Sequence, residues 1–271
     1  MPNIQINGRS IHYVTAGSGP QTIIFSHGYL MSQRMFAAQI AKLSETYRVI
    51  AFDHRGHGDS GPSRQPFGIY DLVDDAAALI DALCDGPVHF AGMSTGGYVG
   101  LRLLLRRPDL IKTLILMDTG AAAESKESLR QYNQLLFFVR LVGIRPLLGK
   151  VLPLLFGQAF RHDPAQRAAF QDWKNYISSL DRTSVRQFGR AIFDRDDVQD
   201  GLRALKNPPP VLIMVGAEDI PTPPTMAQDL QRIFVGSELI EVPQAGHTSP
   251  LENPGLVTAA IARFISQHGE S

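Results

Sequence analysis

Gly92-Met93-Ser94-Thr95-Gly96 reads G-x-S-x-G, with Val88-His89-Phe90-Ala91 before it and a run from Gly97 to Leu105 after it. The upstream tetrapeptide has the character of a short buried strand, and the downstream run is legible as a helix. A serine between them stands on a sharp strand-to-helix turn, exposed at its apex near the start of a helix. Small residues at 92 and 96 let the backbone cross itself where a Cβ would clash. The pentapeptide is common by itself, so its flanks and partners decide what it means.

Working outward, Thr22-Ile23-Ile24-Phe25, Val49-Ile50-Ala51-Phe52 and Thr113-Leu114-Ile115-Leu116-Met117 read as further buried strands, the last closed by Asp118. Helical spacing over 33–43 and 70–83 separates them, and this strand–helix rhythm implies right-handed crossovers and a parallel sheet. Before it, Ile4-Gln5-Ile6 and Ile11-His12-Tyr13-Val14 flank Asn7-Gly8 as a hairpin would. The rhythm stops near Gly120. Residues 121–205 carry no convincing strand and read as helices broken at Gly143, Pro146, Pro153 and Gly157. Strands resume at Val211-Leu212-Ile213-Met214-Val215 and at Leu239-Ile240-Glu241-Val242, with helices over 225–233 and 254–267. The expected organisation is therefore a first core part (1–120), a helical insertion (121–205) and a second core part (206–271).

The chain has 271 residues, 44% apolar and 19% charged, enough for a substantial core. Its 26 Lys and Arg balance its 26 Asp and Glu, so nucleic acid and anionic membrane are not expected partners. Cys84 is the single cysteine, which excludes an intrachain disulfide and fits a reducing compartment. The first residues lack a basic stretch followed by an apolar run, and Arg140 interrupts the greasiest segment. A cytoplasmic protein, monomeric or homodimeric, is the expectation.

A serine hydroxyl attacks poorly at neutral pH unless a histidine takes its proton, an acid orients that histidine, and two donors receive the oxyanion. His247, in Gln244-Ala245-Gly246-His247-Thr248, follows the last strand and is the candidate base among eight histidines. Asp219, just past the first strand after the insertion, is the candidate acid, with adjacent Glu218 and strand-ending Asp118 as competitors. The order Ser94, Asp219, His247 satisfies the serine, acid, histidine sequence of such sites. The oxyanion donors are expected to be the backbone N–H groups of Thr95 and of Tyr29, in the loop Ser26-His27-Gly28-Tyr29.

Four blocks in order, His27-Gly28, Asp53-x-Arg55-Gly56-x-Gly58-x-Ser60, Gly92-x-Ser94-x-Gly96 and Gly246-His247, resemble the α/β-hydrolase superfamily of the capped serine esterase and lactonase type. The resemblance spans nearly the whole chain. It implies an α/β fold with a mostly parallel eight-stranded sheet flanked by helices, and a helical cap inserted after the sixth strand. It makes residues 53–59, which offer two histidines and two carboxylates, a structural turn beside the site. The H-x-H-x-D-H cluster of metal-dependent lactonases is absent, and the implied chemistry needs no cofactor or metal. Serine at the elbow argues against the branches that attack with a carboxylate. The expected activity is hydrolysis of a small carboxylic ester or lactone through an acyl-serine. An apolar acyl group is expected against Tyr29, Leu136, Phe137 and Leu155, and N-acyl-homoserine lactones are one candidate. Enol-lactone hydrolysis, cofactor-free haloperoxidase or perhydrolase chemistry, carbon–carbon bond hydrolysis and receptor-like ligand binding are the alternatives.

Overall fold

The computed structural model describes residues 2–269, so Met1, Glu270 and Ser271 lie outside it. The chain opens with β1 (Asn3–Ile6) and β2 (Arg9–Ala16), joined at Asn7 and Gly8. Both turn residues have positive φ, 51° and 73°, as a tight hairpin of right-handed twist requires. β3 (Thr22–Ser26), β4 (Arg48–Phe52), β5 (Val88–Met93), β6 (Ile111–Met117), β7 (Val211–Gly216) and β8 (Glu238–Val242) complete an eight-stranded sheet in the order β1-β2-β4-β3-β5-β6-β7-β8. The pairs β1–β2 and β2–β4 are antiparallel, whereas every pairing from β4–β3 to β7–β8 is parallel.

The central strands are near-continuous apolar runs because helices cover both faces. Their side chains alternate between two cores. Ile24, Phe90, Leu114 and Ile213 pack with α2 (Ile69–Leu83), α3 (Thr95–Arg106) and α10 (Pro224–Ile233). Phe25, Ala91, Ile115 and Leu212 pack with α1 (Ala37–Leu43) and α12 (Pro254–His268). In α2, Leu72, Val73, Ala76, Leu79 and Ile80 form the buried stripe. Asp71 closes its first turn by accepting the Gly68 N–H at 2.8 Å. The stretch 33–43, read as one helix, is a 3₁₀ turn at Gln33–Phe36 followed by α1.

Between β6 and β7 run α4 (Lys126–Val142), α5 (Leu148–Leu155), α6 (Gln158–His162), α7 (Arg167–Ser179), α8 (Arg182–Phe193) and α9 (Gln199–Arg203), with α11 (Ser249–Glu252) following β8 later in the chain. Pro153 lies inside α5 and does not break it. The helix ends two residues later, so little intrahelical bonding is lost. Most apolar side chains of this segment join the cores: Val139, Leu152, Phe156 and Ile177 pack on one side, Phe188 and Ile192 on the other.

Candidate active site

The turn after β5 is built by close approach. A Cβ on Gly92 would stand 2.2 Å from the Gly96 carbonyl oxygen, and one on Gly96 would stand 1.9 Å from that of Ser26. Neither position admits a side chain. Ser94 takes φ 50° and ψ −109°, a strained conformation for a residue with a Cβ. It is held by its own backbone: its N–H donates to Met117 O at 2.8 Å, and its carbonyl accepts from Thr119 Oγ1 at 2.9 Å. The strain points the hydroxyl up from the carboxyl edge of the sheet.

Ser94 Oγ lies 2.9 Å from His247 Nε2. His247 Nδ1 lies 2.9 Å and 3.0 Å from the two oxygens of Asp219. A carboxylate only accepts, so Nδ1 carries the proton and Nε2 is free to accept from the serine. Thr222 fixes the acid, donating to it from its N–H at 3.0 Å and from its hydroxyl at 2.8 Å. All three side chains are buried. Burial works to lower the His247 pKa, but the charge and hydrogen bond of Asp219 outweigh it, helped by Asp118 and Glu252, and the net shift is upward.

The competing acids lie elsewhere. Glu218 is turned away from the imidazole and accepts from the Gln158 N–H of α6. Asp118 accepts from Gly216 N–H at 2.8 Å and from the Ser249 N–H and hydroxyl at 3.0 and 2.7 Å. Burial, reinforced by Asp219, pushes its pKa up to about 7. Asp118 thus ties β6 to β7 and to the segment after His247. Glu252 does comparable work, accepting from the N–H groups of Gly246 and Thr248, which flank His247, and from Gly157 at 2.8 Å. Neither role was visible in the sequence, because Asp118 reaches Gly216 and Ser249, and Glu252 reaches Gly157, across long separations in the chain.

The loop after β3 comes against the elbow: a Cβ on Gly28 would stand 3.2 Å from Ser94 Cβ. In this loop Leu30 N–H donates to His57 Nε2 at 3.1 Å and Met31 N–H to Gly28 O at 3.2 Å. The Tyr29 N–H has no acceptor among the described residues. Thr95 opens α3, where a first-turn N–H has no partner within the helix. Neither expected donor spends its N–H on an acceptor among the described residues.

Beside Ser94 and His247 opens a cavity with about 670 Å³ of unfilled space, its mouth included. Leu135, Val151, Leu154, Leu155, Ile192 and Phe193 form its apolar wall. Of the expected substrate contacts, Tyr29 and Leu155 line it, though the Tyr29 hydroxyl is spent on Val185 O at 2.7 Å. Two expectations are corrected. Phe137 is 55% exposed, on the outer face of α4. Leu136 is buried against α8, where its Cδ2 lies 2.7 Å from the place a Cβ on Gly189 would occupy. One residue turns a helix by about 100°, so Leu135 reaches the cavity and its two successors do not. A polar corner completes the lining: Tyr98, Glu124, Tyr132 and Arg195. Burial raises the pKa of Tyr98, and that of Tyr132 to about 12, which keeps both phenols protonated. Tyr98, on α3, stands one turn after Ser94, a spacing visible in the sequence but without a local sign of which way the ring faces.

The histidines of 53–59 are spent on packing. His54 Nε2 lies 2.9 Å from Ser26 Oγ, and His57 takes the Leu30 N–H. Potential metal-ligand atoms of His12, Asp53 and Asp59 lie within 4.8 Å of one another. Asp53 already bonds His12 Nδ1 at 2.9 Å and the N–H groups of Gln33 and Asp59 at 2.8 and 3.0 Å. Among the described residues, no helix is long and apolar enough to cross a membrane.

The chain is similar to 3-oxoadipate enol-lactonase 2 of Acinetobacter baylyi, 29% identical over 95% of this chain and 94% of that one. It superposes on the enol-lactonase of Burkholderia xenovorans with a TM-score of 0.89 and 26% identity, covering 98% of this chain and 100% of that one. A thermophilic esterase of Thermogutta terrifontis, solved with malate bound, matches with the same TM-score and 28% identity, covering 98% of each chain. The family model described as alpha/beta hydrolase fold matches residues 21–254. That span holds the parallel sheet, the strained serine turn and the loops bearing Asp219 and His247, and by it this chain belongs to the α/β-hydrolase fold family.

Proposed function

We propose that the protein is a serine carboxylic ester hydrolase acting on small esters or lactones, with a lactone as the leading substrate. The observation that carries this reading is the hydrogen-bonded line from Asp219 through His247 to Ser94, at the mouth of a largely apolar cavity. Ser94 Oγ attacks the carbonyl carbon as His247 Nε2 takes its proton. The Tyr29 and Thr95 N–H groups hold the oxyanion. Collapse expels the alcohol, or opens the ring of a lactone, with His247 returning the proton. Water, deprotonated by the same nitrogen, then releases the acid from Ser94. Besides substrate and water, each step uses groups of this chain.

The apolar wall fits an aliphatic acyl or alkyl tail, as in an N-acyl-homoserine lactone. The names of the enol-lactonase relatives support ring opening as the leading reaction. The test is hydrolysis of p-nitrophenyl acetate and of a lactone series by the wild type, with Ser94→Ala as control. Turnover abolished by Ser94→Ala is expected. Wild-type turnover of none of these substrates, or turnover undiminished in Ser94→Ala, contradicts the reading.

A further inference from the structure

The cavity holds an ion pair in the wall beside its nucleophile. Arg195 Nη1 donates to Glu124 Oε1 at 2.8 Å and to Ile192 O at 2.9 Å, and Nη2 donates to Ala122 O at 3.1 Å. The guanidinium carbon lies 3.9 Å from the ring centroid of Tyr98, and the Arg195 side chain is 1% exposed. Tying residue 122 to residue 192 is a structural service, and it accounts for Arg195. It does not account for what faces the ligand space. Glu124 lines the cavity, and its second oxygen accepts no hydrogen bond from the described residues. Tyr98 and Tyr132 also line the cavity, and their hydroxyls make no hydrogen bond to the described residues. Arg195 is the single Lys or Arg in the described lining, and Glu124 neutralises it. Arg130, Arg140 and Arg145, the cations of the helical insertion between 130 and 145, are exposed.

We propose that Glu124, held in place by Arg195, determines substrate specificity by accepting a hydrogen bond from an N–H or O–H on the acid part of the substrate. The substrate class is then an uncharged lactone or ester whose acid part bears an amide or hydroxyl close to the reacting carbonyl. Tyr98, one helical turn (about 6 Å of rise) from Ser94, puts this corner within reach of such a group. A phenol donates to the amide carbonyl, and the free Glu124 oxygen takes the amide N–H. A substrate carboxylate meets a like charge and a cation that is already paired. The proposal rests on the esterase and lactonase reading above.

The test compares kcat/KM for three lactones: N-butanoyl-homoserine lactone, γ-octalactone, which has no N–H, and a γ-lactone bearing a free acetate arm. The wild type is expected to prefer the amide lactone to the alkyl lactone by about tenfold, the worth of one good hydrogen bond to a charged acceptor. Glu124→Ala is expected to bring that ratio close to one. Glu124→Gln leaves Arg195 uncompensated and is expected to raise kcat/KM on the carboxylate lactone by about tenfold. A purely structural ion pair predicts that each variant scales all three substrates alike, and that result overturns the proposal, as does a wild-type preference for the carboxylate lactone. Should the variants fail to fold, the wild-type ratios decide by themselves. Hydrolysis of p-nitrophenyl acetate with flat lactone ratios sinks this proposal only, whereas no hydrolysis of any ester or lactone sinks the reading beneath it.

Discussion

β5 leads into Ser94 and α4 contributes Leu135 to the lining of the cavity beside it, and the two elements differ in almost every physical respect. All six residues of β5 are buried, and the strand hands its last turn to a serine locked by backbone bonds on both sides. In α4 only Leu136 and Val139 of 17 residues are buried, and Phe137, Phe138, Leu141 and Val142 are each more than half exposed. Ser94 follows the over-determined element, whereas α4, which gives Tyr132 and Leu135 to the cavity lining beside α5 and α8, is lightly anchored. Precision at Ser94 comes from packing that admits no extra atom. On the solvent face of α4, side chains can change at small cost to the fold.

The strongest way to break this contrast is to remove the nucleophile. Ser94→Ala should lower kcat on the order of 10⁶-fold in steady-state assays while leaving the thermal midpoint near the wild-type value. Asp219→Asn should cost on the order of 10⁴-fold in kcat, because the imidazole loses the acceptor that fixes its tautomer. Glu218→Gln should cost little by comparison, and a reversed order of these two would move the acid by one residue. In stability the contrast is equally sharp. Phe90→Ala, at a fully buried position, should cost about 3–5 kcal/mol by denaturant unfolding. Phe137→Ala should stay within about 0.5 kcal/mol, with kcat unchanged.

The smallest effect concerns pH. His247 must be neutral to take the serine proton, and its pKa is raised, so kcat/KM should fall as pH drops, beginning above the ordinary imidazole value of 6.5. Asp118 contributes to that rise. Asp118→Asn should therefore move the acid limb of the pH profile to lower pH. A shift to higher pH, or none, would show that Asp118 acts on position alone.

How much of this was legible in the sequence follows the same division. The strands of the parallel sheet are short apolar runs closed by turn residues, and most were readable to within a residue or two. Ser94, Asp219 and His247 were readable as candidates because each follows a strand end, which places them at one edge of the sheet. The insertion was readable as helical but not in its facing. An apolar residue such as Phe137 signals burial, yet the neighbouring turns of α4 leave it in solvent. Leu135, one helical step away from Leu136, is the one that meets the cavity. The roles of Glu252 and Asp118 were invisible for another reason: a buried carboxylate that collects backbone N–H groups from two separate segments has no local pattern. The Glu124–Arg195 pair, 71 positions apart in the chain, is hidden in the same way.

The central claim is that Ser94 is the nucleophile, and it is tested most directly by treating the protein with a fluorophosphonate and locating the adduct by peptide mass spectrometry. One phosphonyl group on Ser94, absent from Ser94→Ala and slowed in Asp219→Asn, is the predicted result. An adduct on another residue, or hydrolysis by a wild-type protein that takes up no label, would contradict it.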